Sequence, residues 1–139
     1  MINNLNFIYP EIFISLSIMF LLMVGVFKKN SSNLIFNLSI ITLIGTLALI
    51  LSYPMQSNIN LFNDSYKIDY LSSFMKILTM GSGIFVLITS ARYLKLFKIF
   101  QVEYSILILC SILGMMVMIS SNDLMVFYIG LELQSLALY

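Results

Sequence analysis

From Ile12 to Phe27 the chain carries no charged residue, and the same holds from Leu34 to Tyr53. Apolar runs of this length leave few folds open. A helix needs roughly 20 residues, with a range of about 17–25, to cross a hydrocarbon core of about 30 Å. In lipid every backbone N–H and C=O must be satisfied inside the segment, which selects helices or closed barrels. Two further apolar runs follow, and a fifth begins near Asp123 and is still apolar at Tyr139. The chain is therefore expected to be an all-α integral membrane protein of about five transmembrane helices. They are placed at about 11–27, 34–53, 71–91, 103–119 and 123–139, in one membrane domain spanning 1–139. Composition agrees, since 60% of residues are hydrophobic and only 9% are charged. That is too little charge to cover a water-soluble domain, so lipid must solvate most of the surface.

The breaks between runs carry their own signals. Pro10 precedes the first helix, where its missing N–H costs nothing, and Glu11 suits the positive helix start. Asn33 can cap the second helix, and Pro54 stops it. Residues 55–69 are polar, and within them Ile59, Leu61, Tyr66 and Ile68 alternate with polar residues around Asn63, Asp64 and Ser65. Alternation about a turn-forming cluster predicts a short β-hairpin on the membrane surface between helices two and three. Ser120, Ser121, Asn122 and Asp123 form a turn rich in N-cap residues before helix five. Basic residues set the orientation. Lys28 and Lys29 follow helix one, and Arg92, Lys95 and Lys98 follow helix three, whereas the opposite loops hold Lys67 beside Asp64, Asp69 and Asp123. The N-terminus is expected outside, towards the intermembrane space or periplasm.

Several chemistries are excluded at this level. A net charge of +1 leaves no field to attract nucleic acid. There is no His, and the single Cys110 lies in an apolar run, which excludes a Cys/His metal site and an internal disulfide. No phosphate loop, activated nucleophile or cofactor motif is present, so the chain alone performs neither redox chemistry nor nucleotide hydrolysis. Abundant Ile, Phe, Asn, Tyr and Lys suggest an AT-rich genome. A mitochondrial gene, and hence the mitochondrial inner membrane, is one source, and the plasma membrane of an AT-rich bacterium is the alternative. No transit peptide or cleavage site follows Met1.

Glu132 is the leading candidate for chemistry. Counted from Asp123 at about 1.5 Å per residue, it lies roughly 14 Å along helix five, near mid-membrane. An ionised carboxylate there costs at least ~2.5–3.5 kcal/mol and requires a partner, a cavity or a proton. Tyr128, Glu132, Ser135 and Tyr139 fall at i, i+4, i+7 and i+11, so they form one polar face. That face must look into protein or water, either to carry a proton or merely to fix packing. Lys76 is the second candidate, roughly 8 Å inside helix three, on a face shared with Asp69, Ser73 and Gly83. Its alternative is to snorkel back to the interface. Gly81 and Gly83 are expected to permit close helix contact. Met115, Met116 and Met118 are read as packing, and Tyr93 and Tyr104 as interfacial anchors.

The segments Ile112–Leu124, reading ILGMMVMISSNDL, and Tyr128–Tyr139, reading YIGLELQSLALY, resemble helices four and five of the antiporter-like membrane-arm subunits of respiratory complex I. Within that family they look most like chain 2 of NADH-ubiquinone oxidoreductase. Pro10-Glu11 and the stretch from Asp69 to Lys76 are similar to early segments of that chain. The resemblance implies the first part of an antiporter-like fold of about fourteen helices. It implies a non-redox subunit that couples quinone reduction by NADH to proton pumping, with NADH, FMN, iron–sulfur clusters and ubiquinone held on other subunits. It also implies that Glu132 is a proton-transfer residue paired with a Lys on helix seven, which has no counterpart within 1–139. The expected partners are other complex I subunits, including a second polypeptide carrying the rest of the fold, and membrane lipids. Two alternatives stay open: a structural piece of the membrane arm without a proton role, and a cation/proton antiporter subunit outside complex I.

Overall fold

The computed structural model describes residues 8–27, 32–52, 59–61, 65–96 and 102–139. They form α1 (Tyr9–Phe27), α2 (Ser32–Ser52), β1 (Ile59–Leu61), β2 (Tyr66–Ile68), α3 (Tyr70–Leu96), α4 (Val102–Ser120) and α5 (Leu124–Leu138). The expected Lys28, Lys29 and Lys98 signals, the stop at Pro54 and the hairpin tip at Asn63 and Asp64 lie outside the described residues.

Among the described residues four helices, α1 to α4, are long and apolar enough to cross a membrane. The fifth is apolar but has 15 residues, fewer than the roughly 17–25 of a full span. The largest boundary difference is at α3, which continues through Arg92 and Lys95 to Leu96. Charge ends an apolar run without ending a helix, so these two residues extend the helix rather than sit in a loop. At the start of α2, Asn33 falls within the first turn instead of preceding it. Asp123 precedes α5 in an extended conformation, but its side chain makes no capping hydrogen bond.

α4 is the centre of the bundle, in contact with α1, α2, α3 and α5. Each outer helix offers it or its neighbours a stripe at helical spacing. On α1 the buried stripe is Ile14, Ile18 and Leu21, and on α2 it is Ile35, Ser39, Leu43 and Thr46. On α3 it runs through Lys76, Met80, Gly83 and Leu87. Outward faces remain apolar, with Met19, Phe20, Val26, Phe27, Leu71 and Phe85 exposed, as lipid-facing surfaces require. Since lipid tails are as apolar as Leu, the helices associate by close packing rather than by the hydrophobic effect. The tightest approach is between α4 and α5. A Cβ on Gly114 would stand 2.8 Å from both Gln134 N and Gly130 O, so the two backbones touch at this glycine pair. Gly83 likewise packs against Ile112, but Gly81 faces open space and supports no helix contact.

β1 and β2 pair antiparallel, as a hairpin requires, with Ile59 opposite Ile68 and Leu61 opposite Tyr66. It does more than rest on a surface. Tyr66 bridges to Ser121, and Asn122 N–H donates to Ser65 O at 3.0 Å, so β2 is pinned to the α4–α5 turn. Asp69 then starts α3. Its carbonyl accepts from Ser73 N–H at 3.0 Å and from the Ser72 hydroxyl at 2.8 Å, and its own N–H donates to Ser72 Oγ at 2.7 Å. The starts of α1, α3 and α5 and the end of α4 thus meet beneath the hairpin, as helices alternating in direction require.

Candidate functional site

Two separate places among the described residues carry the polar groups that could do chemistry. The first is the Glu132 face. Gly130 is the buried residue of α5, turned against Gly114. With about 3.6 residues per turn, Glu132 lies roughly 160° around the helix from Gly130. Its side chain is exposed, and so are those of Tyr128 and Tyr139, while Ser135 is half-buried. The Ser135 hydroxyl donates to the Glu132 carbonyl at 2.9 Å, not to its carboxylate. Among the described residues the Glu132 carboxylate has no hydrogen-bond or ion-pair partner. The polar stripe read from the sequence is therefore a single face, but it points away from α4 and out of the described bundle.

The second place was only half legible. Lys76 is 4% exposed, and its ammonium sits 2.5 Å from Glu11 Oε1. Tyr66 O–H donates to the same Glu11 oxygen at 2.7 Å, and Lys76 Nζ reaches the Tyr66 oxygen at 3.3 Å. The ammonium also stands 5.3 Å above the Tyr66 ring centroid, within cation–π range. Four elements build this cluster. α1 supplies Glu11 from its first turn, β2 supplies Tyr66, and α3 supplies Lys76 from its buried stripe. α4 contributes the buried Ser120 beside the Tyr66 phenol. Burial, and then the nearby Glu11 carboxylate, push the phenol well above its ordinary range, so Tyr66 stays protonated and donates.

Glu11 and Lys76 are thus joined to each other, and neither is joined to Glu132. Glu11 was read from the sequence only as a residue suited to a helix start, and Tyr66 only as a strand residue. A signal for Glu11 exists: it stands one turn before Ile14, in line with the buried stripe Ile14, Ile18 and Leu21. Lys67 and Asp69 pair at 3.0 Å at the surface, where such a pair contributes little. Among the described residues no group of His, Cys, Asp and Glu could hold a metal ion. Between α3, α4 and the end of α5 lies an apolar groove of about 380 Å³, with Ser82, Val86, Tyr104, Ser111, Met115 and Leu138 in its walls. Tyr104 is thereby a groove residue as well as a candidate anchor.

No family model matches the chain. Individual proteins do. NADH-quinone oxidoreductase subunit N of Pelagibacter ubique is 71% identical over 137 residues, covering 99% of this chain and 29% of the relative. The subunit of the same name from Bartonella bacilliformis is 42% identical over 139 residues, covering 99% of the chain and 28% of the relative. By sequence the chain is a relative of NADH-quinone oxidoreductase subunit N. The subunit N of Paramagnetospirillum magneticum adds a match of 38% identity along the full chain, covering 29% of that relative. The chain spans under a third of the length of these relatives. All three are bacterial, so the bacterial plasma membrane is the location the relatives support, and the mitochondrial inner membrane expected first finds no support.

Proposed function

We propose that the chain is part of a proton-translocating membrane-arm subunit of an NADH:quinone oxidoreductase, in which Glu132 takes up and releases a proton. One observation carries this reading. In a chain related throughout to part of subunit N, the Glu132 carboxylate, which the count from Asp123 puts at membrane depth, stands on the face of α5 turned away from α4, with Tyr128, Ser135 and Tyr139 on the same face. A carboxylate at that depth is retained where it meets a cation or a water path. The rest of the subunit, on this polypeptide or a second one, covers this face and supplies the basic partner. Quinone, NADH, flavin and iron–sulfur chemistry belong to other subunits, and the N-terminal side faces the periplasm.

The experiment is affinity purification of the chain from its native membrane. It should bring down flavin- and iron–sulfur-containing subunits and NADH:quinone reductase activity, and Glu132→Gln should lower that activity. Purification as a cation/proton antiporter free of redox subunits would overturn the proposal.

A further inference from the structure

The Glu11 carboxylate is used unevenly. Oε1 accepts from both Tyr66 and Lys76, whereas Oε2 is buried and meets no donor among the described residues. A carboxylate offers about four lone-pair sites, and roughly 90% or more of buried polar atoms find a partner. The Lys76 ammonium has three N–H groups, and Glu11 Oε1 and the Tyr66 oxygen take two of them. Ser120 Oγ is buried beside the phenol but completes no hydrogen bond of normal geometry. A free acceptor, a free donor and a hydroxyl able to be either thus converge in one buried place. An extra cation is disfavoured by the ammonium, and an anion by the carboxylate. A small neutral molecule that both donates and accepts fits, and water is the smallest.

We propose that Glu11, Tyr66, Lys76 and Ser120 form a second, buried, water-binding proton-exchange site at the hairpin end of the bundle, distinct from Glu132. The water donates to Glu11 Oε2 and accepts from the third N–H of Lys76. In the exchange step a Lys76 N–H bond breaks and its proton passes to the water oxygen, its electron pair remaining on nitrogen. One of the water's own protons passes to Oε2, forming an O–H bond. The products are a neutral amine, a neutral carboxylic acid and an intact water, with the cluster's net charge unchanged. In a low-dielectric site this neutral form competes with the ion pair because it carries no buried charge. Tyr66, donating to Oε1, leaves Oε2 as the oxygen that receives the proton. β2 brings Tyr66 into the cluster and is itself tied to the α4–α5 turn beside Ser120.

The water-binding part stands on this geometry alone, while a part in pumping rests on the function proposed above. A structure of the assembled complex that resolves ordered waters should show one within about 2.7–3.2 Å of Glu11 Oε2. A protein donor on Oε2, or an apolar side chain packed against it, would overturn the proposal and leave the role of Glu132 untouched. The second arm measures protons moved per NADH oxidised in complexes carrying Glu11→Gln or Glu11→Gln with Lys76→Met. A lowered ratio in both is the expected result. If the pair is only a fastener, the double variant, which buries no charge, keeps the wild-type ratio, and that result would overturn the proposal.

Discussion

Replacing Lys76 by Met removes the cation and leaves the Glu11 carboxylate where the ion pair held it. At 2.5 Å and an effective dielectric of about 20, the lost attraction is roughly 6–7 kcal/mol. Desolvation of Lys76 no longer has to be offset, but that of Glu11 remains, and the Tyr66 hydrogen bond alone holds the carboxylate. Breaking a buried pair from one side costs about 3–5 kcal/mol. Replacing both partners by neutral side chains of similar volume is often neutral or stabilising, so Glu11→Gln with Lys76→Met should cost under about 1 kcal/mol. A double-mutant cycle on unfolding of the purified protein in detergent measures this coupling, which should be at least about 2 kcal/mol. Two small, additive single costs would refute the reasoning, because they would mean that water screens the pair.

The close approach of α4 and α5 gives a steric prediction. Gly114→Ala should force the helices apart and destabilise by about 1–3 kcal/mol, whereas Gly81→Ala, in open space, should be neutral or stabilising by about 0.5–1 kcal/mol; thermal unfolding of the two variants compares them. Ser72→Ala removes the side chain that closes the first turn of α3 and should cost roughly 0.5–2 kcal/mol, read in the same assay. Tyr66 has a folded-state proton affinity raised above that of an unfolded tyrosine. Its stabilising contribution is therefore complete below the ordinary phenol value of about 10 and is lost as pH rises beyond it. Tyr66→Phe should flatten the alkaline fall in stability, and a tyrosinate absorbance titration should show no loss of a phenol titrating near pH 10.

The helices were legible because the membrane demands unbroken apolar runs, and α1, α2 and α4 lie within two residues of where hydropathy puts them. α3 was cut short because Arg92 and Lys95 end hydropathy without ending backbone hydrogen bonding. The hairpin was legible from alternation about a turn. Its inward-facing Tyr66 was not, because alternation shows that a residue shares a face without showing what lies beneath. Glu11 and Lys76 are 65 positions apart, and a local reason sufficed for each, a helix dipole for one and snorkelling for the other. Only the fold brings the two stripes together. For Glu132 the reverse holds. Its polar face was readable from spacing alone, while a partner for its carboxylate is found neither in the sequence nor among the described residues.

The central claim is that Glu132 carries protons, and the most direct measurement is the number of protons moved per NADH oxidised by the assembled complex in sealed vesicles. Glu132→Gln should lower that number or stop turnover, and Glu132→Asp, which keeps the carboxylate, should restore part of it. A Glu132→Gln complex that assembles, turns over and pumps like the wild type would contradict the account.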